Sequence, residues 1–189
     1  EHRGILNVST NYYATNLVYD DQDRCILLGA IEGFEGAVGW NGAGALPREL
    51  SLSEDGRRLE QRVIPEVETL RREAEPRNAS GAVAGSGVFE LFVSLLPENS
   101  GRLALCYGDT DLVIEFRDGK LSVGGYELPC SNSLRVFMDK TVFELFADER
   151  EALSLVVPVC TGGCRIEVGG VFEQSLLWEY DTRDVFRYY

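Results

Sequence analysis

From residue 87 to residue 180 the chain is a succession of short apolar runs with period-two alternation, separated by polar turns. Leu112, Ile114 and Phe116 alternate with Val113 and Glu115, and Leu134, Val136 and Met138 alternate with Arg135 and Phe137. Successive side chains of a strand point to opposite faces, so each run presents one apolar face. Nine strands are expected, at 88–96, 103–107, 112–116, 120–123, 133–138, 142–146, 153–157, 165–168 and 175–180. Asp118-Gly119 between two of them is a two-residue hairpin signal. With no helical period to cover a sheet, these strands have to cover one another, which predicts two packed antiparallel sheets. No internal repeat is present.

The stretch 39–71 is a second constraint. Gly39-Trp40-Asn41-Gly42-Ala43-Gly44-Ala45 sets small residues around one Trp, which allows backbones to approach closely. Residues 46–52 read as a short strand with Leu46, Leu50 and Leu52 on one face. Glu54-Asp55-Gly56-Arg57 makes a turn, and residues 59–63 return as the partner strand. Pro65 at a first helical position, acids behind it and Arg71 at the end predict a short capped helix. Ahead of this, Asn11 to Ala14, Leu17 to Tyr19 and Cys25 to Gly29 read as a two-strand ribbon around the acidic turn at residues 20–24. Residues 72–86, rich in Ala, Gly, Glu, Arg and Ser, read as a connection.

A chain of 189 residues holds one sizeable core, or part of one domain and a complete second. Its formal charge of −13 opposes nucleic acid or an anionic membrane surface as a partner, whereas a neutral sugar is indifferent to it. No apolar run approaches membrane-spanning length, and the N-terminus lacks the charged-then-apolar plan of a secretion signal. Cytoplasmic and secreted locations both stay open.

Five cysteines are an odd count. Cys25 and Cys106 lie inside strand-like runs and are expected as small buried hydrophobes. Cys160 and Cys164 could close a hairpin bridge, hold a metal or remain free thiols. With His2 as the one histidine, no metal site and no cofactor are expected. Asn7-Val8-Ser9 and Asn78-Ala79-Ser80 fit the glycosylation pattern.

Read as GW-x-G-x-x-x-LPREL and then DGR-x-L-x-Q-x-V-x-PE-x-x-x-LR, residues 39–71 resemble the end of the propeller domain in glycoside hydrolase family 32. This is the family of invertases, inulinases and levanases. Residues 135–146, RVFMDKTVFELF, resemble that family's R-V-x-x-D-x-S-x-x-E-x-F hairpin, with Thr141 in place of Ser. The family continues with Asn-Asp-Gly, where this chain has Asp148-Glu149-Arg150, so a different turn is expected. Tyr12-Tyr13-Ala14 resembles an aromatic-Tyr-Ala triplet of the last blade. Ala30 stands where the family has Trp and Asn7 where it has Asp, positions that the resemblance puts at the sugar-facing end of the blade.

The resemblance implies an all-β chain: a C-terminal antiparallel β-sandwich preceded by a partial β-propeller blade and a short linking helix. Residues 1–64 would end a five-bladed propeller, 65–86 would form the helix and linker, and 87–189 the sandwich. It implies a parent enzyme that cleaves β-fructosidic bonds with retention, which needs a carboxylate nucleophile and a protonated carboxyl about 5 Å apart. The family places these acids in W-x-N-D-P-N-G-like and E-C runs, with a transition-state-stabilising Asp in an R-D-P run, and none of the three occurs here. Arg183-Asp184 is followed by Val185 and is given no catalytic role. Asp139 and Glu144 share a hairpin, with the Asp expected at the turn and the Glu outward or edge-paired.

No catalytic residue is therefore expected in this chain. Tyr13 and Trp40 would line one wall of the parent's sugar pocket, because aromatic faces stack on sugar rings; packing within the blade is the other reading of both rings. The chain is expected to be structural or substrate-supporting, or alternatively a non-catalytic carbohydrate-binding β-sandwich module. A blade without its propeller has open edges and a bare apolar face, which predicts association with the missing part or with a second copy.

Overall fold

The computed structural model describes residues 5–34, 41–96, 100–160, 162–170 and 172–181. Strands β1 (Tyr12–Tyr19), β2 (Cys25–Ile31), β3 (Ala43–Gly44), β4 (Arg48–Leu52) and β5 (Leu59–Val63) come first. They form one antiparallel sheet in the order β1-β2-β4-β5, with β3 paired to β2. The expected ribbon and hairpin are both present. Asp20 closes the first turn: its carboxylate accepts the N–H groups of Gln22 and Arg24 and the Arg24 Nε. Gly42 supplies the expected close approach, since a Cβ there would sit 3.3 Å from the Ile31 carbonyl.

Pro65–Leu70 is a six-residue 3₁₀ helix. The expected start and end are present: Pro65 leads, Glu66 and Glu68 lie in the first turn, and the Arg71 N–H caps the end on the Glu68 carbonyl at 3.1 Å. Ile64 offers no side-chain cap, and Arg71 lies outside the helix in extended backbone. Its guanidinium bridges Glu68 of the helix, at 3.1 Å, and Glu90.

Residues 72–86 do more than connect. They contain β6 (Arg77–Asn78) and β7 (Val83–Ala84), one short strand for each of the following two sheets. Then come β8 (Val88–Leu95), β9 (Gly101–Tyr107), β10 (Thr110–Arg117), β11 (Lys120–Val123), β12 (Tyr126–Pro129), β13 (Ser133–Asp139), β14 (Val142–Ala147), β15 (Glu151–Val156), β16 (Cys164–Gly170) and β17 (Phe172–Glu179). One sheet has the order β12-β11-β10-β9-β16-β7 and the other β15-β14-β13-β8-β17-β6. Their facing sides share a core that includes Phe89, Leu91, Leu103, Leu105, Ile114, Val136, Phe143, Leu145, Leu153 and Ile166. The two-sheet sandwich is as expected.

The turns follow their sequences. Asp118 and Gly119 take φ of 53° and 72°, the double left-handed geometry of a tight hairpin. Gly124 and Gly125 repeat it at 56° and 84° and bring in β12, which the sequence reading omits. Strand β12 is short and ends in Pro129, a residue tolerated because β12 is an edge strand. Asp148 and Glu149 also hold positive φ, 52° and 56°, without glycine. The strain is offset locally, as the Asp148 carboxylate accepts the N–H groups of Ser131, Asn132 and Ser133 at 2.7–2.9 Å.

The sheet containing β13, β14 and β15 is covered on both faces. Leu145 and Leu153 point into the sandwich, while Phe146 and Ala152 point the other way and join Val63, Val67, Phe137 and Tyr180 in a second core. Ile31, Phe34 and Ala45 form a third cluster against Val142 and Val156. The first sheet and the 3₁₀ helix therefore lie on the back of the sandwich. Cys25 and Cys106 are half-buried, which corrects their expected place in the core. Cys106 alternates with the inward Leu105 and Tyr107 and so faces outward, and Cys25 borders an open groove.

Candidate functional site

Polar side chains are concentrated where the first sheet meets the back of the sandwich. Arg48 of β4 is fully buried, because its strand faces Leu27 on one side and Val63 on the other with β14 above. Its Nη2 donates to Glu144 Oε2 at 3.0 Å and to Ser154 Oγ at 3.2 Å, and its Nη1 donates to Gln61 Oε1 at 3.1 Å. Glu144 Oε1 accepts the Leu46 N–H at 2.7 Å, and Oε2 accepts the Ser154 hydroxyl at 3.1 Å. The guanidinium also lies 4.3 Å from the Tyr12 ring centre and 4.9 Å from that of Phe146. Gly29 makes this possible, since a Cβ there would overlap the Tyr12 ring at 2.3 Å.

Burial pushes the Glu144 carboxyl above its ordinary value, and Arg48, the Leu46 N–H and the Ser154 hydroxyl offset only part of that. Both carboxylate oxygens are engaged and the side chain is 3% exposed. Glu144 is thus neither outward nor edge-paired. It is a buried tie between two sheets, while Asp139 is exposed at the hairpin end. Asn7 belongs to the same knot: its Nδ2 donates to Ser154 Oγ at 2.9 Å, and its Oδ1 accepts from Ser9. Its side chain is turned to the sandwich. Of the two glycosylation triplets, Asn78 is exposed and Asn7 is buried.

A second knot lies farther along the same back face. Glu90 accepts from Arg71 on both oxygens at 3.0 Å, from Arg135 at 2.6 Å and from the Tyr180 hydroxyl at 3.0 Å. Glu68 of the 3₁₀ helix lies 3.1 Å from Arg71 and 3.6 Å from Arg135, so two guanidiniums meet two carboxylates. Burial, and then the Glu90 charge, push the Tyr180 phenol up. Arg71 stacks on Trp178 at 4.1 Å. Apart from Glu68 with Arg71 and Asn7 with Ser9, these partners are 10 or more residues apart in sequence, and pattern reading did not find either knot. The available signal was a single Glu inside an otherwise apolar run, as in Phe143-Glu144-Leu145-Phe146.

Tyr13 is 44% exposed on β1, opposite Ala30 of β2. Trp40 lies outside the described residues, as do His2 and the Arg183-Asp184-Val185 triplet. Seven of the eight β1 residues are exposed, among them Leu17 at 56% and Tyr19 at 73%. Beside them an open groove of about 990 Å³ is lined by Ile5, Leu17, Leu27, Leu50, Leu52 and Leu59, among others. Among the described residues, no cluster of three or more His, Cys, Asp or Glu side chains is arranged to hold a metal ion. No helix among them is long and apolar enough to cross a membrane.

These features define an all-β protein in which an antiparallel sandwich carries a smaller up-and-down sheet on its back, joined to it by the buried Arg48–Glu144 ion pair. That is the fold of the C-terminal part of glycoside hydrolase family 32 structures. A family 32 glycoside hydrolase from Bifidobacterium adolescentis matches with a TM-score of 0.75 and 23% identity, over 93% of this chain and 32% of that one. A Bombyx mori family 32 β-fructofuranosidase matches with a TM-score of 0.72 and 22% identity, over 94% and 42%. Fructan 1-exohydrolase IIa from Cichorium intybus matches with a TM-score of 0.69 and 17% identity, over 90% and 48%. The chain thus spans less than half the length of each of these structures. No protein-family model matches the sequence.

Proposed function

We propose that this chain is the C-terminal part of a glycoside hydrolase that cleaves β-fructosidic bonds of the sucrose, inulin or levan type with retention. Its own part is to support the catalytic blades and not to supply the acids. The observation that carries this reading is the bare outer strand of the first sheet. An up-and-down sheet of β1, β2, β4 and β5 with an open, apolar edge has the form of one propeller blade whose neighbours lie elsewhere. On this reading residues 1–64 end a five-bladed propeller, 65–86 link, and 87–189 form the sandwich that buttresses it. The partner of the bare face is then the rest of that propeller, or a second copy of this chain in its absence.

The chemistry points the same way. Retention needs two carboxylates with separate duties, one protonated and one free to attack. Glu90 and Glu144 are each locked by arginines inside the joint, so neither is available to a substrate. Structures that share this fold are named fructosidases, and two of them were solved with sucrose or 1-kestose. A fructoside as the parent's substrate, with Tyr13 and Trp40 on one wall of its pocket, is part of the proposal.

The test has two arms. The chain alone, incubated with sucrose, inulin and levan, is expected to release no fructose, and any turnover would overturn the assignment of the acids to other blades. The reading frame upstream of Glu1 is expected to encode W-x-N-D-P, R-D-P and E-C runs in that order. Retention of inulin by the isolated chain, with none of those runs upstream, would replace this reading with a non-catalytic binding module.

A further inference from the structure

Three of the five cysteines have partners of their own. The Cys130 thiol donates to the Ser133 carbonyl at 3.4 Å. Cys106 lies directly across from Asp111 of β10, and Cys25 directly across from Tyr19 of β1. Cys160 and Cys164 adjoin each other, and the Cys164 thiol donates to the Arg165 carbonyl at 3.8 Å. Gly162 and Gly163, just ahead of Cys164, hold φ of 82° and 96°.

The pair sits where the two sandwich sheets are joined. Cys160 is anchored to one sheet through its N–H, which donates to the Lys140 carbonyl at the β13–β14 turn. Cys164 begins β16 in the other sheet and pairs with Ala84. Both residues are buried, at 2% and 0% exposure. Gly87 closes the site from the side, since a Cβ there would lie 3.1 Å from the Cys160 sulfur and 2.7 Å from its carbonyl oxygen. The buried Tyr107 hydroxyl, which has no hydrogen-bond partner, borders both thiols.

We propose that Cys160 and Cys164 are a modification site: a dithiol that closes to an intrachain disulfide by exchange with a low-molecular-weight disulfide and so clamps the crossing between the sandwich sheets. The Cys160 thiolate attacks one sulfur of the reagent, forms a mixed disulfide and releases one thiolate. Cys164, losing its proton, then attacks the Cys160 sulfur and expels the second. The two protons end on the two released thiols, and the two electrons reduce the reagent. Burial pushes both thiols up, Cys164 to about 12, and the neighbouring Cys164 offsets part of that rise at Cys160, so Cys160 is the first nucleophile. Because both thiols are enclosed, exchange is slow in the folded chain and fast when the Gly162-Gly163 turn opens or during refolding.

The test uses the full chain, unfolded under reducing conditions and refolded with either oxidised glutathione or a reducing phosphine. After refolding with the disulfide, the intact mass is expected to be lower by two hydrogens. Alkylation in denaturant should mark Cys25, Cys106 and Cys130 only, and peptide mapping should recover a Cys160–Cys164 bridge. The urea midpoint should rise on oxidation in the wild type and stay unmoved in Cys164→Ser, while Cys106→Ser should behave like wild type. Five alkylated thiols after oxidative refolding, or a bridge that uses Cys25, Cys106 or Cys130, would overturn the proposal.

Discussion

Arg48 and Glu144 stand 96 residues apart in the chain, on β4 and β14, and meet as an ion pair of 3.0 Å with side chains 0% and 3% exposed. Removing one partner leaves the other as an uncompensated charge in a dry joint, which costs about 3–5 kcal/mol. Arg48→Met and Glu144→Leu are each expected to lower the unfolding free energy by about that much, measured by urea denaturation. The double variant is expected to recover a large part of the loss, because a matched apolar pair removes the buried charge altogether. Additive losses in the double variant would mean that the pair does not act as a unit.

The β14–β15 turn gives a sharper test of local strain. Asp148→Ala removes three N–H acceptors and leaves a Cβ at φ of 52°, so a loss of about 2–3 kcal/mol is expected. Asp148→Gly relieves the strain and loses only the hydrogen bonds, so it is expected to be the milder of the two by about 1 kcal/mol. Thermal denaturation of both variants checks the order.

Acid is expected to loosen the strap between the first turn and the 3₁₀ helix. Arg24 bonds Asp20 and Glu66, and its hydrogen bonds hold the Glu66 carboxyl below the ordinary carboxylate range. Asp20 is lowered too, because bonds from Arg24 and Gln22 outweigh its desolvation. A depressed folded value means that the stabilisation is complete above the unfolded value and is lost as pH falls through the folded one. Glu66→Gln is therefore expected to flatten the fall in stability on the acid side, read from urea midpoints taken at descending pH.

The bare face around β1 is expected to bind a hydrophobic dye and to promote association. Leu17→Lys with Leu52→Lys places two charges on residues 56% and 66% exposed, beside the open groove. Dye fluorescence is expected to fall several-fold and sedimentation to shift toward monomer, with stability changed by less than about 1 kcal/mol because neither side chain is in a core. A wild-type chain that sediments as a clean monomer without dye binding would remove the ground for a missing partner.

Most of the sandwich was legible because strand alternation is a local signal. Each of the nine expected strands has a counterpart, and Asp118-Gly119 turns as its residues require. The additions have physical reasons. Strands β6 and β7 have two residues each, too few to show a period, and β12 ends in a proline that an interior strand would reject. The joint was not legible, because Arg48, Gln61, Glu144 and Ser154 read singly as ordinary outward polar residues of half-exposed strands. Only the pairing of the strands shows that the outward side of β13, β14 and β15 is itself an interior. Of the two aromatic residues read as sugar contacts, Tyr13 is exposed on β1 and Trp40 lies outside the described residues.

A layer that is dry on both sides has no surface to offer a ligand. Among the described residues, the broad wall of the sandwich left to meet solvent is the outward side of β9 to β12. There Arg102, Glu115, Arg117 and Glu127 border a hollow of about 550 Å³. Substitutions on that wall can alter docking or solubility without disturbing the joint.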